Sequence, residues 1–283
     1  MPDITWLFWE GPLPGYIALC IQTIARHTQR LIVLDRAGFD ELFTTDRDID
    51  IDRLALNHQS DFVRAYLLAH HGGMYVDADC IAMKDLSCVL NLAARHEFVG
   101  YREPLGYMSC NFMASKPGGS VILSHYEQMT AKLRTGQRLE WLDLASVPMD
   151  HAVTAHRDKA FLLPTNAVMP LSWTDSERLC ERRDDSSHLT HFEIDALCYM
   201  LSNNTIKNRW QTKILYDMCE SDILQGDYFI SFLLRRALSE TQIEDVGAGK
   251  HPDRRGPAVP TANGHPVHSS PPAGPTWPPD CNT

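Results

Sequence analysis

No run of lysines and arginines stands out in this sequence, and acidic residues outnumber basic ones 36 to 26. A formal net charge of −10 excludes the basic surface that nucleic-acid phosphates demand. Nor does any stretch approach the roughly 18 uninterrupted apolar residues that a membrane-spanning helix requires. The opening "MPDITWLFWEG" has neither a basic leader region nor a small-residue cleavage site, so the protein is expected to stay in the cytoplasm, with peripheral contact to the inner membrane face left open. The eight cysteines are scattered, without a C-x-x-C pair or His spacing. That pattern excludes a zinc cluster and reads as reduced, mostly buried thiols.

What is present is enough apolar residue to bury a full core: 44% of 283 residues are hydrophobic. "ITWLFW" (4–9) has strand length, "YIALCIQTIARHT" (16–28) has helical periodicity, and "RLIVLD" (30–35) returns to a strand, which is βαβ wiring. A helix is predicted over 60–71 with Ser60 as its N-cap, ending at Gly72-Gly73 and followed by the strand "GMYVDAD". Strands are predicted at 97–102, 107–115 and 160–164, with a helix at about 119–134. "WQTKILYDMCESDILQGDYFISFLLRRAL" reads as one or two closing helices. This alternation predicts an α/β fold: a mainly parallel central sheet, helices on both faces and a helical C-terminal part. After Val246 the composition turns rich in Pro and Gly and poor in aliphatic residues, so the chain divides into a domain over 1–246 and a tail over 247–283 that is expected to be disordered.

The strand at 73–79 ends in two acids one residue apart, Asp77 and Asp79. Extended residues alternate, so both carboxylates are expected on one side, at the strand end where open α/β sheets keep their ligand crevices. Two hard oxygen donors suit Mn²⁺ or Mg²⁺, an ion that completes its coordination with water and substrate phosphates. A rival acidic run, "DRDIDID", alternates Asp46, Asp48, Asp50 and Asp52. It follows no apolar strand and reads as a solvated acidic edge.

The segment "LNHQSDFVRAYLLAHHGGMYVDADCIAMKDL" resembles the sugar-nucleotide-binding core of DXD glycosyltransferases: family 32, the capsular polysaccharide synthesis enzymes and the glucosylating bacterial toxins. S-D-x-x-R, an amphipathic helix and G-G-x-Y-x-D-x-D appear in the same order. "ITWLFWEGPLPGYIALCIQTIARH", "LIVLD" and "CNFMASKPGGSVI" resemble the flanking strands, and "SVPMDHAV" and "FLLPTNAVMPLSW" resemble later segments. The resemblance implies a GT-A (Rossmann-like) nucleotide-sugar-binding fold. It also implies transfer of a sugar from a nucleotide-diphosphate sugar, UDP-linked by preference, to a hydroxyl acceptor on a glycan, glycolipid or polysaccharide, with retention.

By the same resemblance Asp77 and Asp79 hold the metal, with Asp79 counted among the catalytic groups. Asp61 and Arg64 bind donor-sugar hydroxyls, Trp9 stacks on the nucleotide base and Tyr75 touches the donor. From the residues alone, Asp61 and Arg64 at i, i+3 equally make an ordinary helix-surface pair, and Trp9 and Tyr75 equally make core aromatics. Trp6 reads as core. The family's C-terminal His anchor has no counterpart in "DALCYMLSNNTIKNRW"; Ser202, Asn203, Trp210, His188 and His191 are the candidates to replace it. Two other readings stay open. One is a degenerate nucleotide-sugar binder. The other is a phosphatase of the haloacid-dehalogenase type, whose first Asp is a nucleophile, although Cys80 and Ile81 follow here and Asp227 is the single later acid in reach.

Overall fold

The computed structural model describes residues 1–239. Two apolar tetrapeptides begin the sheet: β1 (Thr5–Phe8) and β2 (Leu31–Leu34) pair in parallel, linked by α1 (Gly15–Arg26). Helix α2 (Arg36–Leu42) and helix α3 (Leu56–His70) follow, and the chain re-enters the sheet as β3 (Gly73–Val76), parallel to β1. A three-residue strand β4 (Cys80–Ala82), helix α4 (Ser87–His96) and strand β5 (Phe98–Tyr101) lead to β6 (Phe112–Ser115) and α5 (Ser120–Arg134). The later part holds α6 (Ser146–Ala155), β7 (Ala160–Leu163), α7 (Thr165–Val168), α8 (Asp185–His188) and β8 (Cys198–Met200). It closes with α9 (Asn203–Asn208), α10 (Lys213–Asp217), α11 (Glu220–Gln225) and α12 (Phe229–Leu238).

The main sheet has the order β2-β1-β3-β6-β5-β7. Strand β6 runs against both neighbours, β3 and β5, while the pairs β1–β2, β1–β3 and β5–β7 are parallel. This is the mainly parallel α/β sheet that the alternating pattern predicts. Alternation along the strands feeds two faces. Trp6, Phe8, Tyr75 and Met113 join the core cluster under α3 and α5, whereas α4 packs on β3, β5, β6 and β7. A second, two-stranded sheet pairs β4 with β8 antiparallel. It is tied to α1 because Thr23 Oγ1 accepts from the Ala82 N–H at 2.9 Å and donates to the Cys20 carbonyl at 2.7 Å.

Several elements differ from expectation. Helix α3 starts four residues before Ser60, with Ala55 at its N-cap position, so Ser60 is an interior residue. No side-chain acceptor caps the helix start; the Gln59 side chain donates instead to the Leu54 carbonyl at 2.9 Å, tying the helix to the residue just before it. The predicted strand at 107–115 shortens to Phe112–Ser115, and the C-terminal segment forms three helices where one or two were predicted. Strand β3 ends at Val76, and residues 78–79 form a turn. The alternation argument for Asp77 and Asp79 therefore does not apply; a turn between two sheets brings them together. Residues Met1–Leu238 form one compact unit; the boundary read at Val246 and the 247–283 segment lie outside the described residues.

The helix-to-strand passage from α3 into β3 depends on Gly72 and Gly73, whose φ values are +66° and +97°. A Cβ on Gly73 would stand 2.6 Å from the Ile4 carbonyl oxygen, a backbone atom that cannot swing away. Gly73→Ala is expected to cost on the order of 1–3 kcal/mol from backbone strain alone. It should therefore lower the melting temperature by several degrees, at about 2–4 °C per kcal/mol for a domain of this size; an unchanged melt would contradict this account of the turn.

Candidate active site

The C-terminal ends of β1 and β3 lie side by side, and the groups singled out in the sequence gather there. Arg64, in the third turn of α3, is buried, at 8% exposure. Its Nη2 lies 3.1 Å from Asp77 Oδ1 and donates to Ser60 Oγ at 2.9 Å; Nη1 lies 3.4 Å from Asp61 Oδ1. The guanidinium stands 5.3 Å above the ring of Tyr75, which is wholly buried and whose hydroxyl is 3.4 Å from Ser60 Oγ. Arg64 Nε has no hydrogen-bond partner among the described residues. Asp61 and Arg64 are both buried, which removes the ordinary surface pair as an explanation. The far side of Asp61 meets His58, whose Nδ1 is 3.3 Å from Asp61 Oδ2.

Asp77 and Asp79 occupy the link from β3 to β4. The Asp77 N–H donates to the Asn111 carbonyl at 2.8 Å. Asn111 is itself fixed through its side-chain oxygen by the Tyr101 and Ser109 hydroxyls, at 2.9 and 2.8 Å. Asp79 is held from the other sheet: its carbonyl accepts from the Leu201 N–H at 3.0 Å and its Oδ2 from the Asn203 N–H at 2.6 Å. Residues 201–203 arrive there because β8 pairs with β4.

Asn203 is thus the candidate from "DALCYMLSNNTIKNRW" that touches the acidic pair, and its side-chain oxygen also accepts from the Tyr16 hydroxyl. The other candidates are placed elsewhere. Ser202 caps α9, Trp210 is 84% exposed, His188 is buried against Phe229 and Phe232, and His191 bonds Arg183. Neither Asn111 nor Tyr16 carries a motif signal, since their partners are set by chain crossings remote in sequence.

Trp9 follows β1 and extends its ladder, donating its N–H to the Leu34 carbonyl at 2.9 Å; its indole Nε1 is buried without a partner among the described residues. Trp6 is core, donating its indole N–H to the Gly72 carbonyl at 2.8 Å. The rival acidic run is spoken for: Arg134 binds Asp46 and Asp48, Arg36 binds Asp52 and Arg53 binds Asp50. Asp227, the acid that the phosphatase reading needs, pairs with Arg182, both of them largely exposed.

The charges do not balance. Three carboxylates, Asp61, Asp77 and Asp79, share the field of one guanidinium. Burial, with Asp77 adding to it, pushes the Asp79 carboxyl up to about 7, and burial likewise raises Asp77 against the pull of Arg64. Among the described residues no group of three or more His, Cys, Asp or Glu side chains is arranged to hold a metal. Two half-buried carboxylates short of positive charge, beside the unpartnered Nε–H of Arg64 and Nε1–H of Trp9, are instead a fit for a divalent cation that arrives with an anionic, phosphate-bearing ligand.

Residues 18–99 match the family described as "Glycosyltransferase sugar-binding region containing DXD motif". This span includes Asp61, Arg64, Tyr75, Asp77 and Asp79, and on it the protein is a glycosyltransferase. No curated protein matches the chain by sequence. Solved structures similar to it include the PaToxG glycosyltransferase, at 13% identity and TM-score 0.43, matched over 54% of this chain and 69% of that one. The bifunctional WbbM glycosyltransferase in its apo form is similar at 10% identity and TM-score 0.42, over 76% of this chain and 51% of that one. The glycosyltransferase GlyE of Streptococcus pneumoniae TIGR4 is similar at 12% identity and TM-score 0.43, over 78% of this chain and 62% of that one. The chain thus spans about half to two thirds of the latter two. Among the described residues no helix is long and apolar enough to cross a membrane.

A feature not legible in the sequence lies behind the Asp61–Arg64 pair. His125 of α5 is wholly buried, and neither ring nitrogen has a hydrogen-bond partner among the described residues. Burial, helped by Arg64, pushes its pKa down to about 4, with Asp61 pulling the other way. The unfolded chain binds a proton at this site below the ordinary value of about 6.5, whereas the folded chain does not until about 4. Stability is therefore lost as pH falls through that window, by up to about 1.4 kcal/mol per unit from this residue. Thermal melts from pH 7 to 4.5 should show the wild type falling more steeply than His125→Leu; parallel profiles would contradict the buried neutral histidine.

Proposed function

We propose that this glycosyltransferase is metal-dependent and moves a sugar from a nucleoside-diphosphate sugar, a UDP-sugar first, to a hydroxyl acceptor on a glycan, glycolipid or polysaccharide, with retention at the anomeric carbon. The order of its motifs supports a likeness to the family 32 and capsular type. The observation that carries the reading is the pairing of an acidic turn, Asp77 and Asp79, with a buried Arg64–Asp61 couple at the same sheet end.

Asp77 and Asp79 would hold Mn²⁺ or Mg²⁺, which supplies charge neutralisation for the departing diphosphate. Asp61 accepts from sugar hydroxyls and Arg64 donates to them, a task suited to a planar guanidinium whose Nε is unused. Trp9 flanks the base and offers its indole N–H to an oxygen of the nucleotide. Tyr75 acts from below, stacked under Arg64 and holding its orientation. Asn203 fixes the Asp79 carboxylate through one oxygen and leaves the other for the cation.

Two experiments test this. Wild-type protein with Mn²⁺ and a panel of UDP- and GDP-sugars is expected to release nucleotide, and to stop in excess EDTA. Asp77→Asn and Asp79→Asn should each lose at least about 100-fold, since an amide cannot replace a carboxylate's charge beside a diphosphate, while Asp158→Asn, at an exposed acid before β7, keeps wild-type rates. Binding of nucleotide sugar without turnover would instead favour a degenerate binder. In the second, Asp61→Asn and Arg64→Lys should cost on the order of 2–4 kcal/mol in transition-state stabilisation and relax discrimination between donor sugars. Because breaking a buried pair also costs fold stability, melts of each variant accompany the kinetics. A folded Arg64→Lys with wild-type rate and selectivity would remove the pair from the sugar site.

A further inference from the structure

The helices that frame the site leave a cavity next to it. Helix α3 leads into β3, so its N-terminal turns stand at the C-terminal end of that strand, where Asp77 lies. Helix α5 runs the opposite way along α3: the Gly118 N–H, two residues before α5 begins, donates to the Ala69 carbonyl near the end of α3 at 2.8 Å. The last turn of α5 and the 136–139 loop therefore come to the same end as the acidic turn. Between them and the 48–58 segment is a cavity of about 510 Å³.

Its lining has two kinds of surface. Leu54, Leu133 and Leu139 give an apolar side, while Arg53, Arg138 and Asp50 give a polar one. The side chains of Arg53 and Arg138 are 86% and 92% exposed, and Arg138 makes a 3.9 Å contact with Glu140. His58 lines the same cavity and touches Asp61 on the side away from Arg64. The cavity thus begins one side chain away from the pair assigned to the donor sugar. Two residues on from Leu139, Trp141 exposes 62% of its surface. The segment that carries it is anchored by Lys132, whose Nζ is 3.4 Å from Asp143 Oδ2, and by the Glu140 N–H, which donates to the same oxygen at 3.0 Å.

Acids and guanidinium forks beside an apolar wall, with a large exposed aromatic two residues beyond the lining, are the complement of a pyranose. Its hydroxyls both donate and accept, and its C–H face is apolar. We infer that this cavity is the acceptor subsite and that the acceptor is a saccharide, seated between the 48–58 segment and the end of α5, with Trp141 against its ring and one hydroxyl directed past His58 toward the donor. The inference rests on the glycosyltransferase reading of the Asp77–Asp79 cleft and adds the place of the acceptor and the residues that hold its sugar ring.

The test uses full-length protein, fluorescently labelled, on a panel of immobilised oligosaccharides with Mn²⁺ and UDP present. Nucleotide release from the UDP- and GDP-sugar panel is measured on the same preparation. Wild type is expected to be retained on a subset of saccharides. Trp141→Ala and Arg138→Ala should each lose at least tenfold in retention at unchanged melting temperature, while Leu189→Ser, an exposed apolar residue in the 189–191 turn, should not. Retention undiminished in Trp141→Ala and Arg138→Ala overturns the placement. Nucleotide release with no saccharide retained overturns the saccharide class while leaving the donor site standing. Absence of both nucleotide release and retention overturns the inference together with the reading on which it rests.

Discussion

Arg64 organises the acidic end of the sheet. A guanidinium this deeply buried is tolerable only because Asp61 and Asp77 lie against it and Tyr75 presents its ring below. The same geometry leaves the site short of positive charge, since Asp79, pushed up to about 7 by its burial and by the neighbouring Asp77, makes a third carboxylate within reach of one arginine. A protein that wanted only stability would replace such a cluster with apolar side chains. Keeping it makes sense if a ligand completes the charge balance, and the cluster lies within the 18–99 span that matches a glycosyltransferase sugar-binding region.

The scaffold serves that cluster from both sheets. The main sheet delivers Trp9 and Asp77 at adjacent parallel strand ends, and α3 delivers Asp61 and Arg64 beside them. The small β4–β8 sheet supplies what the main sheet lacks, a backbone donor at Asn203 that clamps Asp79. Asp79 thus stands where the two sheets meet, and its orientation is governed by residues more than 120 positions away in the chain. That arrangement lets a short turn hold two carboxylates close together in spite of their repulsion.

Much of this was legible in the sequence. The strands at 5–8, 31–34 and 73–76 announce themselves as apolar tetrapeptides, and Gly72-Gly73 marks the turn between α3 and β3. The spacing of Asp61 and Arg64 places them on one helix face. What escaped has identifiable causes. Ser60 resembles an N-cap because a Ser before an apolar helical run is the usual signal, yet here it is the inner partner of Arg64. The D-A-D segment continues a strand in pattern but turns in fact, because Asp79 must leave the main sheet to enter β4. Asn203 could not be selected among five candidates, since its role comes through a backbone N–H and a strand of three residues. His125 looks like any polar position on α5 until the fold surrounds it.

The central claim is that the cleft carries a deficit of positive charge which a divalent cation and a nucleotide diphosphate fill together. Calorimetric titration of UDP into the wild-type protein, with and without Mn²⁺ at neutral pH, tests it most directly. The account predicts binding at least about 100-fold tighter with the ion, some 2.7 kcal/mol, because without it the diphosphate meets Asp77 and Asp79 with no charge between them. Equal affinity in the two titrations would contradict it and would mean that Arg64 alone balances the site.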